Sequence, residues 1–420
     1  MLSVEEALDK VLSFVTTLGS EEKPILDCLG QVIADDVYAP FNVPPSDNSA
    51  MDGYAVRVAS IAGAHWEHAR VLKVIGELPA GHVTDLQVES DTAIRIMTGA
   101  PIPQGADAVV PFEDTDEEKR KGTPNLKAEI GVYSALKPGA NIRRSGEDVS
   151  KGELVVGKGR LLLPADIGVL ASLGKARVSV IRRPVVGVLA TGNEVVEIDR
   201  LLSAGKIYNS NSYSLAAQVL RYGGIPRLLG IAQDNVEQLT SAIRHGLDCD
   251  MLITSGGVSV GDYDMVKEVL AVEGNISFWT VRMKPGKPLA FGTFKREDGT
   301  KVSHLGLPGN PVSSMVTFEI FARPAIYKMM GRTDWARPTV KAVMEDSIKN
   351  KDGRRVFIRV VVNKRGNEYN ARLTGEQSSG ILTSMAKANG LAVIPETTNE
   401  VKPGTIVDVM LLDWDGAKGL

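Results

Sequence analysis

Carboxylate side chains follow three consecutive predicted strands in the second half of the chain. Glu194 comes after "PVVGVLATG", Asp234 after "PRLLGIAQ", and Asp264 after "MLIT" and the pair Gly256-Gly257. Because the carboxyl ends of parallel strands meet at one edge of a sheet, we expect these acids to share a crevice. Carboxylates beside a phosphate-accepting glycine turn suit Mg²⁺ carried with a phosphate. The alternative is that each acid only caps a helix and complements its dipole.

Basic and proline-rich turns are predicted at the same edge. The segment "MKPGKP" carries Lys284 and Lys287 on a stiff turn, where fixed lysines would hold an oxyanion at low entropic cost. In "GLPGNPV", Asn310 is the predicted N-cap and Pro311 the first residue of a helix. Because the N–H groups at a helix start can bind an anion, this turn is a second predicted anion-binding site. The alternatives are a solvated surface turn and an ordinary helix start.

Two polar segments in the first half are further candidates. The segment 44–55, "PPSDNSAMDGYA", contains Asp52, and the segment 141–149, "NIRRSGEDV", contains Arg143, Arg144 and Asp148. Small polar residues of this density also occur in plain turns, and charged residues in plain loops. Taken alone, these segments leave a turn, a loop and a binding site as alternatives.

The elements that must position these residues predict a multidomain α/β protein. Strands and helices alternate from residue 184, which favours a doubly wound parallel sheet closed by a long helix near 310–331. Residues 70–112 read as short strands, and the pattern after Pro338 is all-β, typical of a small C-terminal barrel. At the N-terminus, Ser3 and Glu6 form a capping box, and Gly19 is the predicted end of that helix.

Composition excludes several classes of protein. The 48 basic and 51 acidic residues nearly cancel, and no basic block with interleaved aromatic residues appears, so we expect no nucleic-acid partner. No signal pattern or long apolar run is present, which predicts a cytoplasmic protein without a membrane partner. Two cysteines and scattered histidines exclude a disulfide framework and favour no zinc site. The mixed-charge run 113–122 is predicted to be a solvated loop.

Seven segments together resemble one family, the molybdopterin molybdotransferases, which include bacterial MoeA and the gephyrin E domain. They occur in order along nearly the whole chain: "PPSDNSAMDGYAV", "RIMTGAPIPQGADAVV", "NIRRSGEDV", "TGNEVV", "TSGGVSVGDYD", "KPGKPLAFG" and "GLPGNPVSS". The resemblance implies that molybdate is inserted into adenylylated molybdopterin and that AMP is released with the help of Mg²⁺. It also implies four domains: 1–43 with 147–177, 44–146, 178–331 (like a molybdopterin adenylyltransferase), and 332–420.

The resemblance also assigns residues. It implies catalytic roles for five acids, of which the last three would bind the metal: Asp52, Asp148, Glu194, Asp234 and Asp264. It implies that the substrate contacts Thr98, Arg143, Arg144, Ser255, Gly256, Gly257, Lys284, Lys287, Pro308, Pro311, Ser378 and Ser379. Ser46, Thr280 and Arg282 depart from residues common in the family, which leaves the details of oxyanion binding open.

The family further implies a homodimer with sites built across the interface. Asp52 and Asp148 of one subunit would then approach the third domain of the other. A molybdopterin adenylyltransferase and apo-molybdoenzymes are the expected protein partners. Two alternatives to the molybdotransferase remain: an adenylyltransferase, which the residues flanking 178–331 disfavour, and a non-enzymatic scaffold of the gephyrin type.

Overall fold

A computed structural model describes residues 1–120, 128–257, 269–270 and 272–412. The chain separates into two compact units, one formed by Met1–Lys23, Gly30–Ala34 and Ser179–Leu420, the other by Pro24–Leu29 and Asp35–Val178. The strands Ser20–Pro24 and Arg177–Ile181 fall where the chain leaves one unit and enters the other. The finer division into four domains stays a prediction.

The second unit is rich in β-structure, as its short apolar runs predict. Its five-stranded sheet has the order Ala108–Pro111, Gly53–Val56, Thr92–Ile96, Arg70–Leu78 and Glu129–Val132. Two further pairs are Asn48–Ser49 with Ile142–Arg143 and Val37–Tyr38 with Leu154–Val156. Its helical elements are Ile25–Cys28, Val58–Ile61, Phe112–Asp114, Glu117–Arg120 and Pro164–Ser172.

The prediction of a solvated loop over 113–122 is wrong in its first part. Glu117 is buried and lies in a short helix, where its carboxylate pairs with Arg95 at 2.9 Å and accepts from the Tyr54 hydroxyl at 2.7 Å. A buried carboxylate is stable only with such partners. The run is therefore anchored to the sheet at Glu117, and its last two residues lie outside the described part of the chain.

A six-stranded mixed sheet forms the centre of the other unit. Four neighbouring strands are parallel: Ile225–Ala232, Val185–Thr191, Met251–Ser255 and Lys301–Leu307. Two antiparallel strands complete the sheet at one edge, Pro288–Lys295 and Gly274–Thr280. The predicted doubly wound sheet is confirmed, and strands predicted near 276–282 and 289–294 are present. The sequence pattern missed the antiparallel direction of these two edge strands and the strand Lys301–Leu307.

Helices cover both faces of this sheet. Apolar side chains of Val4–Ser13, Ser210–Arg221 and the long helix pack on one face. The long helix runs through Pro311–Thr317, a π-helical turn Phe318–Ala322, and Arg323–Met329. Helix Val236–Gly246 and the buried pair Val269 and Leu270 pack on the opposite face. Burial on both faces explains why Val185–Thr191 and Met251–Ser255 read as largely apolar runs.

The last part of the chain closes into a five-stranded barrel, as predicted. The strands run in the order Arg355–Arg365, Glu368–Leu373, Thr339–Met344, Ile406–Leu411 and Gly390–Ile394, which pairs with the first again. The remaining elements here are the pair Ile348–Lys349 with Glu400–Val401 and the helix Leu382–Ala386. The short strand Met283–Lys284 pairs with the barrel strand Arg355–Arg365. This pairing fixes the position of the turn that carries Lys284 relative to the barrel.

The N-terminal helix has the predicted start and a different end. Ser3 and Glu6 form the capping box, but the helix ends at Ser13 with Phe14 as its C-cap, before Gly19. Beyond it, Val15 is buried, and the Leu18 amide donates to the Met329 carbonyl. The residues after Phe14 therefore bond to the long helix and do not continue the N-terminal helix. In the described part of the chain, no helix combines the length and apolarity that a membrane span requires.

Candidate functional site

A cavity of about 1270 Å³ opens at the carboxyl ends of the parallel strands. Turns that follow all four of these strands line it, together with the turn 284–288 and one side of the barrel. The predicted residues that it gathers are Glu194, Asp234, Ser255, Gly256, Gly257, Lys284, Lys287, Pro308, Pro311, Ser378 and Ser379. Open sheets bind ligands at this edge.

The glycine turn after Met251–Ser255 requires glycine for steric reasons. Gly256 has φ +100°, and a Cβ there would lie 2.7 Å from Thr191 Oγ1 and 2.9 Å from the Thr191 carbonyl oxygen. Two strand ends can therefore approach each other beside the cavity. The Gly256 amide donates to the Leu307 carbonyl at 3.0 Å, so this amide serves the fold and not a bound anion.

The turns that carry two of the predicted acids are tied together. The Asp234 amide donates to Asn193 Oδ1 at 3.1 Å, and the Asn193 amide donates to Asp234 Oδ2 at 3.4 Å. A Cβ on Gly192 would contact the Glu194 carboxylate, so this carboxylate folds back over the end of its own strand. Glu194 and Asp234 consequently line one wall of the cavity at neighbouring strand ends.

The predicted metal site stays a prediction. Asp264, its third ligand, lies outside the described residues. Within the described residues, no group of three or more His, Cys, Asp and Glu side chains could hold a metal ion. Glu194 and Asp234 supply the hard oxygen ligands that Mg²⁺ prefers, and with these two carboxylates the site remains a prediction.

A second wall of the cavity is basic. Lys284, Lys287 and Arg354 line it, and Lys284 Nζ lies 3.0 Å from Asp352 Oδ2. Between the lysines, Gly286 has φ +97°, and a Cβ on it would clash with Thr317 Oγ1, so the turn packs directly on the long helix. This close packing fixes the backbone from which both lysines project.

Hydrogen bonds from the Asn211 side chain connect the turn before the long helix to the residue before the glycine turn. Asn211 Nδ2 donates to Ser255 Oγ at 2.8 Å and to the Gly309 carbonyl at 2.7 Å. Asn310 is the N-cap residue and Pro311 the first helical residue, as predicted, although the Asn310 side chain makes no capping hydrogen bond. The contact of Asn211 holds two strand ends at a fixed separation.

The barrel contributes Ser378, Ser379 and a buried arginine that the sequence reasoning missed. The carbonyl of Ser379 accepts from the Val312 amide at 3.1 Å, which joins the serine segment to the long helix. Arg359 is 1% exposed, and burial lowers the pKa of its guanidinium to about 10. It donates from Nε to Ser384 Oγ at 3.1 Å and from a terminal nitrogen to the Ser378 carbonyl at 3.0 Å.

Arg359 pairs with no carboxylate among the residues that the structure describes. Arg359 nevertheless belongs to the cavity lining, so we expect its positive charge to act on an anion there. The signal in the sequence was a charged residue inside the apolar strand "RVFIRVVV". Buried charges without a partner are costly, and their presence beside a cavity points to a ligand.

The predicted residues of the first half lie in the other unit, where some of them contact each other. Asp52 Oδ1 accepts from the Thr98 amide and from Thr98 Oγ1, both at 2.7 Å, and these bonds hold the pKa of the Asp52 carboxyl below its usual value. Arg144 pairs with Asp47 at 2.5 Å and is engaged on the surface. Arg143 pairs with Asn48 through the backbone, and the Asp148 amide donates to the Val43 carbonyl.

Comparisons with known proteins agree along the whole chain. Residues 2–174 match the family model described as "MoeA N-terminal region (domain I and II)", residues 187–328 match "Probable molybdopterin binding domain", and residues 341–412 match "MoeA C-terminal region (domain IV)". The Mycobacterium tuberculosis H37Rv protein named molybdopterin molybdenumtransferase 2 is 38% identical, over 99% of this chain and 100% of that protein. The molybdopterin molybdenumtransferase of Haemophilus influenzae Rd is 36% identical, over 97% of this chain and 98% of its own.

A solved structure shows the same fold. The MoeA molybdopterin biosynthesis protein of Pyrococcus horikoshii has a TM-score of 0.81 and 33% identity, and the match covers 98% of this chain and 99% of that one. The similarity thus extends over both units and does not stop at the α/β sheet.

Proposed function

Because the chain belongs to the MoeA family of molybdopterin molybdenumtransferases, we propose that it inserts molybdate into adenylylated molybdopterin and releases AMP. Membership makes it a transferase of molybdenum cofactor biosynthesis. The observation that carries the proposal is the cavity, which has carboxylates on one wall and cations on the other. Such a division suits a substrate that brings phosphates and a second oxyanion to one place.

The acidic wall would hold Mg²⁺ through Glu194, Asp234 and Asp264. When bound there, the ion would neutralise phosphate charge and polarise the phosphate linkage to AMP. The mutual hydrogen bonds between Asn193 and Asp234 keep the Asp234 carboxylate at the mouth of its strand. This preorganisation lowers the cost of gathering anionic ligands and anionic substrate in one cavity.

The basic wall would hold the tetrahedral oxyanion beside the pterin. The wall of Lys284, Lys287 and Arg354 is joined by Arg359, which also lines the cavity and is the most buried of the four. Hydrogen bonds from a charged donor in a site with little water are the strongest of their kind, so Arg359 contributes most to anion affinity. The chemistry requires no protein nucleophile, and catalysis would come from position and electrostatics.

The direct test incubates the protein with adenylylated molybdopterin, Mg²⁺ and molybdate. We expect release of AMP that depends on molybdate, together with activation of an added apo-molybdoenzyme. Asp234→Ala should lose most of this activity, whereas Glu237→Ala, an exposed acid outside the lining of this cavity, should keep it. Consumption of ATP with molybdopterin and no molybdate-dependent AMP release would favour the adenylyltransferase instead.

The family also motivates a proposal about assembly. We propose a cytoplasmic homodimer in which Asp52 and Asp148 of one subunit complete the cavity of the other. Thr98 fixes the Asp52 carboxylate through two hydrogen bonds, which suits a positioned catalytic group. The adenylyltransferase that supplies the substrate and the apo-molybdoenzymes that accept the product are the proposed protein partners.

Subunit exchange between two inactive variants tests the shared site. Asp52→Ala and Asp234→Ala proteins should regain activity when mixed, because half of the dimers become mixed and each mixed dimer has one intact site. Random pairing therefore restores roughly a quarter of the wild-type sites in a symmetric dimer. No recovery after verified exchange would reject the shared site and leave the reaction itself untouched.

A further inference from the structure

One carboxylate oxygen on the barrel holds two of the cations that line the cavity. Asp352 Oδ2 lies 3.0 Å from Lys284 Nζ and 2.6 Å from a terminal nitrogen of Arg354. Lys284 and Arg354 belong to the cavity lining, and Asp352 does not. A single oxygen that faces two cations is the arrangement that one oxygen of a tetrahedral oxyanion would also adopt.

The backbone keeps these three side chains within reach of one another. Lys284 pairs with Val356 in the short parallel ladder, and the Arg355 amide donates to the Arg282 carbonyl at 3.0 Å. Asn350 is buried, and its amide nitrogen donates to the Arg354 carbonyl at 2.9 Å, which closes the turn 350–354. The ion pairs are therefore not needed to bring the turn of Asp352 to the turn of Lys284.

We propose that Asp352 is an internal counter-anion, which occupies Lys284 and Arg354 in the substrate-free protein and releases them to an incoming tetrahedral oxyanion. The inference rests on the proposed function, since the oxyanion would be molybdate or a phosphate of the adenylylated substrate. The Lys284 side chain is 54% exposed, so it can turn from Asp352 to a ligand in the cavity. Half-exposed ion pairs are weak, and the exchange costs little.

A counter-anion has two consequences for the cavity. It keeps two like charges close together while no ligand is bound, because Lys284 and Arg354 would otherwise repel each other. It also makes each anion compete with a carboxylate, so weak anions bind less well than they would to bare cations. Hydrogen bonds from Arg354 and then from Lys284 hold the pKa of Asp352 below its usual value, and the competing charge persists at neutral pH.

The alternative is that Asp352 only orients the Lys284 side chain for ligand binding. The two roles predict opposite changes for Asp352→Asn. If the Asp352 carboxylate competes with the ligand, its removal strengthens oxyanion binding. If it orients Lys284, its removal weakens oxyanion binding. The sign of the change in affinity therefore decides between the roles.

The experiment titrates wild-type protein and Asp352→Asn with molybdate and, separately, with AMP at low salt in a calorimeter. We expect about two- to fivefold tighter binding of at least one anion by Asp352→Asn, with the gain fading as salt rises. If only the affinity for molybdate rises, Lys284 and Arg354 bind the metal oxyanion. If only the affinity for AMP rises, they bind a phosphate of the substrate. Unchanged or weaker binding of both anions overturns the proposal.

Two further variants make the result specific. In Lys284→Ala/Asp352→Asn the gain should shrink, because the cation that Asp352 shields is absent. Asp408→Asn removes a carboxylate 2.9 Å from Lys341, an exposed pair on the same barrel that does not line the cavity, and it should leave both affinities unchanged. An equal gain in Asp408→Asn would reduce the effect to net charge and reject the proposal.

The outcome separates this inference from the proposed function. If the wild-type protein releases AMP in the presence of molybdate while Asp352→Asn shows no gain in affinity, the counter-anion fails and the reaction stands. If Asp352→Asn binds either oxyanion more tightly while no molybdate-dependent AMP release occurs, the counter-anion stands and the reaction fails.

Discussion

Arg359→Met should separate stability from function. The methionine keeps most of the volume of the side chain and removes its charge. Because Arg359 is buried without a carboxylate partner among the described residues, we expect its charge to serve ligand binding more than folding. The variant should therefore remain folded while its affinity for molybdate falls.

The size of both effects follows from the contacts. Burial lowers the pKa of Arg359 to about 10, which corresponds to a cost of about 3 kcal/mol for the charged form. Methionine removes this cost, but it also removes hydrogen bonds to Ser384 and Ser378, worth about 0.5–1.5 kcal/mol each. The contributions largely cancel, so the free energy of unfolding should change by less than about 2 kcal/mol.

Oxyanion binding has no such compensation. A hydrogen bond from a charged donor in a buried site contributes about 1.5–3 kcal/mol, so molybdate should bind roughly 10- to 150-fold more weakly to Arg359→Met. Calorimetric titration measures the affinity, and urea unfolding followed by tryptophan fluorescence measures the stability. Trp279, stacked on Phe291 in the same unit, is a probe of that unfolding.

Arg337→Met is the matched control. Arg337 is also buried, but it pairs with the buried carboxylate of Glu319 and lies outside the cavity lining. Its loss leaves that carboxylate poorly compensated and should cost about 3–5 kcal/mol of stability without a change in molybdate affinity. The reasoning would be refuted if Arg359→Met lost more stability than Arg337→Met, or if its affinity for molybdate were unchanged.

Other perturbations have equally definite outcomes. Gly286→Ala should lower stability by about 1–3 kcal/mol and weaken molybdate binding, because it combines a positive φ with a clash against Thr317, and wild-type values for both would contradict the close packing of this turn. Burial lowers the pKa of His304 from 6.5 to about 3. Between these two pH values the unfolded chain binds a proton that the folded chain does not, so the free energy of unfolding should fall by about 1.4 kcal/mol for each unit by which the pH is lowered. His304→Gln should remove this contribution in urea titrations at pH 4 to 7, and an unchanged slope would show that other groups cause it. Chelation of divalent ions should stop AMP release, and Glu194→Gln should raise the Mg²⁺ concentration needed to restore it by about tenfold; equal Mg²⁺ dependence would remove Glu194 from the metal site.

Local pattern predicted the elements that position the cavity. The strands before Glu194 and Asp234 were identified because their apolar runs end at turn residues, and the long helix because Asn310 and Pro311 mark its start. Topology then gathers the strand ends at one edge, so their side chains could be placed together without coordinates. This inference needs only short-range periodicity and the rule for parallel sheets.

Elements whose burial depends on tertiary partners were missed. The strand Lys301–Leu307 buries Ser303 and His304, and both have distant partners: Ser303 Oγ donates to the Phe14 carbonyl at 2.9 Å, and His304 bonds Thr254 Oγ1 at 3.1 Å. Polar residues in a strand pattern indicate an exposed face unless these partners are known. The same limit explains Glu117, whose partner Arg95 lies 22 residues away.

The contrast between two buried arginines shows what the sequence could not supply. Arg337 and Arg359 are both buried next to apolar strands, and nothing in their local sequence distinguishes a structural charge from a ligand-binding one. The difference lies in what each meets: Arg337 pairs with Glu319, whereas Arg359 has hydroxyl and carbonyl partners and lines the cavity. Hydroxyl and carbonyl oxygens satisfy its donors without neutralising its charge. Arg359 therefore brings a positive charge to the cavity that Glu194 and Asp234 also line. In the proposed reaction the metal ion would meet the carboxylates and the oxyanion would meet the cations, which come from different segments of the chain.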